Sequence, residues 1–200
     1  MGRSAMKTLA LAASLLTIML IGCSPTADTV SATDSTTDTP TTIYMVRHAE
    51  KVNVDNPDPT LSTAGFARAE ALKAALIDAS VDAIIVSSFQ RTQLTAKPLA
   101  EHLGLQMIVI PIDLAAKERG IEQYVQGVVE EINNNWSGKE VLVVSHNPLV
   151  QLIGKALNTP ELPAIDEATG FDHFFAITKS NDPSEQAKLS HTRYGALPQK

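Results

Sequence analysis

The sequence predicts an α/β fold over residues 43–200, a three-layer sandwich in which a mostly parallel central sheet is flanked by helices. Short apolar runs alternate with segments whose apolar residues recur every three or four positions, the pattern of strands joined by crossover helices. Polar clusters containing His, Arg and Ser follow directly on three of the runs, and in open α/β sheets ligands gather at the carboxyl ends of strands. At 200 residues and 44% hydrophobic content the chain supports one sizeable core. With 19% charged residues and a single cysteine, the composition excludes collagen-like, disulfide-rich and wholly disordered classes. A formal net charge of −6 leaves no basic footprint for nucleic acid.

From the N-terminus, residues 1–22 carry Arg3 and Lys7 and no acid, and Leu9 to Ile21 is uncharged, the make-up of an export signal rather than of a comfortable membrane span. The run ends Leu20-Ile21-Gly22-Cys23, which resembles the lipobox of bacterial lipoproteins. That resemblance implies a signal removed before Cys23 and an acylated Cys23 anchoring the protein in the bacterial cell envelope. Ser24 rather than Asp follows the cysteine, so the outer membrane, facing the periplasm, is the expected destination. Loss of Arg3 and Lys7 leaves 14 basic against 22 acidic residues, a net charge of −8, so acyl chains rather than charge are expected to supply the membrane hold. From Ser24 to Thr42, all residues but Ala27, Val30 and Ala32 are Thr, Ser, Asp or Pro. Such a stretch buries too little apolar surface to offset its ordering entropy, and residues 23–42 are expected to form a disordered tether.

The domain of residues 43–200 opens with Ile43–Val46 as its first strand, followed by Ala83–Val86, Met107–Ile110 and Val141–Val144. Phe66, Ala69, Leu72, Leu76 and Ala79 put an apolar stripe on one helix, and Ile121, Tyr124/Val125, Val128 and Ile132 put one on another. Phe174–Ile177 and Leu189–Tyr194 read as late strands, antiparallel at an edge, and Trp136 after three asparagines reads as a helix end.

Strand one runs into Arg47-His48-Ala49-Glu50, strand two into Ser87-Ser88-Phe89-Gln90-Arg91-Thr92, and strand four into Ser145-His146-Asn147-Pro148. Two arginines suit a phosphoryl group, because planar guanidinium forks bind its oxygens bidentately. A neutral histidine can attack phosphorus, and a second histidine can donate to the transferring oxygens. There is no His-x-x-x-His pair, no pair of cysteines and no Gly-x-x-x-x-Gly-Lys loop, so neither metal nor cofactor is expected. His102, His173 and His191 lie outside these clusters and read as packed or surface residues.

In order along the chain, Arg47-His48-Ala49-Glu50, Leu61-Ser62-Thr63-Ala64-Gly65, Ser87 through Ala96 and Val143-Val144-Ser145-His146-Asn147-Pro148 resemble the motifs of the histidine phosphatase superfamily, the phosphoglycerate-mutase-like fold, with Ala49 in place of the usual Gly. The resemblance implies that His48 becomes a phosphohistidine while Arg47, Arg91 and His146 hold the phosphate, with Asn53, Ser88 and Asn147 as further hydrogen-bonding candidates. It also calls for a carboxylic acid to protonate the leaving oxygen. Glu118, in Lys117-Glu118-Arg119-Gly120, is the assigned acid, with Asp113 as rival and Glu122 as third choice. Glu50 and Lys51 either orient the first loop or merely solvate it.

The expected activity is that of a metal-independent phosphatase acting on a phosphorylated small molecule or a phosphoprotein, by hydrolysis of a phosphomonoester or of phosphohistidine. No long insertion separates Arg91 from His146 to close over a sugar phosphate, which favours a hydrolase over a phosphoglycerate-type mutase. Asn147, rather than Asp, after the second histidine disfavours the phytase and acid-phosphatase branch. The alternative from another class is a catalytically inactive phosphate-binding module, which needs the arginines but no acid.

Overall fold

The computed structural model describes residues 39–197. The expected export signal at residues 1–22, the Cys23 anchor and the tether up to residue 38 lie outside the described residues. Among the described residues, no helix is long and apolar enough to cross a membrane.

Strand β1 spans Thr41–Arg47, so it begins two residues inside the stretch read as tether. The correction has a simple cause: Thr41 and Thr42 are β-branched and extend the ladder, with Thr41 buried and Thr42 opposite Glu140. Helix α1 follows at Thr63–Leu76, capped by the Ser62 hydroxyl, which accepts from the Gly65 N–H at 3.1 Å. Then come β2 (Val81–Ser87), α2 (Gln90–Leu103), β3 (Met107–Ile110), a short 3-10 turn at Leu114–Ala116, and α3 (Glu118–Asn135). The chain ends with β4 (Glu140–Ser145), α4 (Leu149–Ala156), β5 (His173–Lys179) and β6 (Lys188–Arg193).

The six strands form one sheet in the order β3-β2-β4-β1-β5-β6. β3, β2, β4 and β1 run parallel to their neighbours, while β5 lies antiparallel to β1 and β6 antiparallel to β5. The apolar runs of β1, β2 and β4 are nearly continuous because these central strands are covered on both faces. Alternation along β1 then divides the core: Ile43 and Met45 pack with Tyr124, Val128 and Ile132 of α3 and with Val150 and Ile153 of α4. Val46 faces the other way, toward Leu72 and Leu76 of α1 and Ala96 and Leu99 of α2. Helices on the two faces of one sheet give the three layers.

Two sequence expectations shift. Phe66, expected on the buried stripe of α1, is 47% exposed, and Arg68 takes a buried place instead. The Arg68 guanidinium is bidentate to the Glu50 carboxylate, at 2.7–3.0 Å, and donates to the Tyr194 and Ala196 carbonyls, so a charged side chain occupies the inner face fully bonded. Ala79 lies beyond the helix, whose last turn closes at Leu76.

Candidate active site

The site is built by strand adjacency. β1 and β4 are parallel neighbours with Arg47 opposite Ser145, so the next residue of each, His48 and His146, leaves the sheet side by side. The His48 N–H donates to the Ser145 carbonyl at 2.8 Å, and the two imidazoles stand 5.3 Å apart, ring centre to ring centre, in an edge-on arrangement. On the other side of β4, β2 ends at Ser87, whose Oγ lies 2.8 Å from His146 Nε2. The Ser87 hydroxyl also meets Thr92 Oγ1 at 2.9 Å and accepts from the Phe89 N–H at 3.2 Å, which fixes the turn into α2.

Hydrogen bonding sets the state of His48. Its Nδ1 is 2.8 Å from the Ala49 carbonyl, an acceptor only, so Nδ1 carries the proton and donates while Nε2 keeps its lone pair. Burial, the largest cause, reinforced by the Arg47 charge, brings His48 down from 6.5 to about 3. Burial brings His146 to about 2, with His48, Arg91 and Arg47 adding to the effect. Both imidazoles are therefore neutral around pH 7.

Two guanidinium groups flank them. Arg47 is buried, lies over the Phe171 ring at 4.1 Å, and donates from Nη1 to the Asp166 carbonyl at 3.1 Å and from Nη2 to Glu167 Oε1 at 2.9 Å. Arg91, in the first turn of α2, lies 4.2 Å over the Phe89 ring with Nη1 3.6 Å from Asp58 Oδ1. Asp58 also accepts from the Gln90 N–H at 3.0 Å, which ties the start of α2 to the loop after β1. The Nε atoms of Arg47 and Arg91 are buried with no hydrogen-bond partner among the described residues. Both arginines line one pocket together with the two imidazoles, and guanidinium groups are donors suited to the oxygens of an anion. The pocket itself, about 280 Å³, is lined by both arginines, both histidines, Lys51 and Glu167, with an apolar wall opposite.

The structure brings together Arg47, His48, Arg91, His146 and Asn147 as the sequence implied. It does not bring the others in. Glu118 is exposed at the first turn of α3 and does not line the pocket; Asp113 is occupied in capping the 3-10 turn, accepting from the Ala115 and Ala116 N–H groups; Glu122 lies farther along α3. Asn53 is exposed on the loop after β1, outside the pocket. Ser88 is exposed while Ser87 is buried against His146, because the last strand residue points inward and its successor turns out. Glu50 is held by Arg68, so it orients the first loop rather than solvating it.

Sequence reasoning missed Glu167 and Phe171, which arrive from the irregular segment between α4 and β5. Glu167 bridges Arg47 and Asn147, whose Nδ2 donates to its Oε2 at 2.8 Å. The one available signal was the acidic turn Asp166-Glu167, whose Asp166 carboxylate accepts from the Ala168 and Thr169 N–H groups. Among the described residues, no group of three or more His, Cys, Asp or Glu is placed to hold a metal ion.

The family model of the histidine phosphatase superfamily (branch 1) matches residues 43–115. No curated protein sequence matches the chain. Solved structures with the same fold include the protein histidine phosphatase SixA complexed with tungstate, at 19% identity and a TM-score of 0.57, covering 76% of this chain and 96% of that one. A mycobacterial glucosyl-3-phosphoglycerate phosphatase aligns at 18% identity and TM-score 0.57, covering 78% of this chain and 99% of the other. A structure named mycobacterial hydrolase 2 aligns at 19% identity and TM-score 0.56, over 80% and 92% respectively. This chain thus shares a mixed α/β fold with these solved structures and matches the histidine phosphatase superfamily (branch 1) model over residues 43–115.

Proposed function

We propose that the protein is a phosphatase that removes a phosphoryl group from its substrate through a phosphohistidine at His48. The observation that carries this reading is the convergence of the Arg47 and Arg91 side chains on one pocket with a neutral His48 whose Nδ1 is committed to the Ala49 carbonyl. Phosphate oxygens fit those donors, and the lone pair fits the phosphorus. Solved relatives with phosphatase names point the same way.

In this reading His48 Nε2 forms a bond to phosphorus as the bond from phosphorus to the leaving oxygen breaks. The ring gains positive charge, and its Nδ1–H bond to the Ala49 carbonyl strengthens. The leaving oxygen takes a proton from Glu167. Arg47 and Asn147 hold the Glu167 side chain at the pocket, and a phosphate that draws Arg47 to itself leaves the Glu167 carboxyl free to face the leaving oxygen. Water then attacks the phosphohistidine, Glu167 takes its proton, and His48 and inorganic phosphate are released.

The test is turnover of 4-nitrophenyl phosphate by the full chain, with acid-quenched trapping of a phosphorylated intermediate. His48→Ala is expected to lose turnover by about three orders of magnitude and to trap nothing. Equal turnover by the variant, or none by the unmodified protein, overturns the reading.

A further inference from the structure

The wall facing the phosphate corner has a definite chemistry. Ile112, Leu114, Ile121, Pro148 and Leu149 line it, and none of these side chains carries a hydrogen-bonding atom. Leu114 is 60% exposed on its 3-10 turn, held at the pocket mouth by the Asp113 cap. Ile121 is also a wall of a second cavity, of about 350 Å³, that lies along the seam of α3 and α4 and is lined by Val125, Val129, Leu152 and Ala156 and also by Glu122, Gln126 and Lys155. Leu152 is 40% exposed there. Ile121 borders both cavities, so the apolar wall of the phosphate pocket adjoins the apolar seam between the two helices, and together they form an apolar track.

Continuity with the catalytic pocket says what covers this track. Whatever alcohol is attached to a phosphorus bound by Arg47 and Arg91 must leave the corner past polar rim residues or along this wall. A sugar or other polyol laid on Ile112, Leu114, Ile121, Pro148 and Leu149 would lose water from its hydroxyls and find no side-chain partner among them, which binding sites penalise heavily. A hydrocarbon or aryl group gains from covering Leu114, Ile121 and Leu152. We propose that the track is a leaving-group subsite and that the substrate is the phosphomonoester of an apolar alcohol, with a chain long enough to pass Ile121. The inference rests on the phosphatase reading for the role of the corner, and on the wall for the class of substrate.

The experiment measures equilibrium binding of n-alkylphosphonates from ethyl to octyl to the full chain by calorimetry, since their carbon–phosphorus bond is not a leaving-group bond. The dissociation constant is expected to fall about two- to fourfold per added methylene. Glucose 6-phosphate and glycerol 3-phosphate are expected to bind no better than inorganic phosphate. Leu152→Ser is expected to weaken octylphosphonate about fivefold and ethylphosphonate much less, and Leu114→Ser is the second variant should the first fail to fold. Dissociation constants independent of chain length, or tighter binding of glucose 6-phosphate than of octylphosphonate, overturn the inference even if aryl phosphates are turned over normally. Length-dependent binding without turnover of any phosphoester supports the subsite and overturns the phosphatase reading instead.

Discussion

In the proposed reaction Glu167 and the phosphate of the substrate compete for the Arg47 guanidinium. The Arg47–Glu167 contact is short, but the Glu167 side chain is 73% exposed, so water screens the pair and its worth is about 0.2–1 kcal/mol. That magnitude sets the expectation for Glu167→Gln. With the carboxylate gone, inorganic phosphate is expected to bind about two- to fivefold more tightly, because Arg47 is free to serve the anion alone. The proton is lost as well, so kcat on an alkyl phosphate, whose leaving oxygen is strongly basic, is expected to fall by about 10²-fold or more, with a much smaller change on 4-nitrophenyl phosphate. Glu118→Gln, outside the pocket, is expected to change neither by more than about twofold. Inhibition constants for phosphate and a leaving-group series measure both effects; a larger loss at Glu118 than at Glu167 would return the acid to the place the sequence suggested.

At the level of elements, the site depends on how closely α1 approaches the loop that carries His48. A Cβ added at Gly65 would lie 2.0 Å from the Glu50 backbone oxygen, the same oxygen that accepts from the Ser62 N–H at 2.9 Å. Gly65→Ala must therefore push the first turn of α1 off the loop two residues after His48. The expected cost is about 1–3 kcal/mol, read as a drop of several degrees in Tm, together with weaker phosphate binding. Gly127→Ala in mid-α3 meets only the Ile110 Cγ2 methyl at 3.3 Å and is expected to change Tm far less, which separates a close approach from a general intolerance of side chains at glycine positions. The same scale explains what the sequence could and could not reveal. Strands covered on both faces leave continuous apolar runs, so β1, β2 and β4 and the polar residues at their ends were legible, and Arg47, His48, Arg91 and His146 with them. Helix faces were legible where apolar spacing decides burial, as in α3, and misleading in α1, where the Glu50 pairing buries Arg68 and Phe66 is left outside. Ser87 was passed over for Ser88 because only the exact end of β2 determines which serine faces His146. Glu167 comes from a segment without periodicity, 120 residues from the arginine it meets, and no local pattern encodes such a contact.

For the molecule as a whole, placing two neutral histidines in a buried, cation-flanked pocket couples folding to pH. Above 6.5 neither the folded nor the unfolded chain protonates these rings, and they impose no penalty. As the pH falls through 6.5 the unfolded chain takes up protons that the native site refuses, since His48 and His146 are held down to about 3 and about 2, mainly by burial. Native stability is therefore lost on acidification, at up to about 1.4 kcal/mol per pH unit for each ring, beginning near pH 6.5 and well before most carboxylates titrate. The groups facing His48 reinforce the sign, because Arg47, Arg91 and Lys51 all oppose a further positive charge. Denaturant unfolding at intervals from pH 7.5 to 5 should give a free energy that declines with falling pH, to which His173 and His191, also held down by burial, add, and His48→Gln, which cannot titrate, should remove part of that slope whatever its effect on stability at pH 7.5. A slope identical in the two proteins would mean that His48 takes up its proton in the folded state as readily as in the unfolded one, and the neutral lone pair on which the nucleophile depends would then be absent from the lower part of that range.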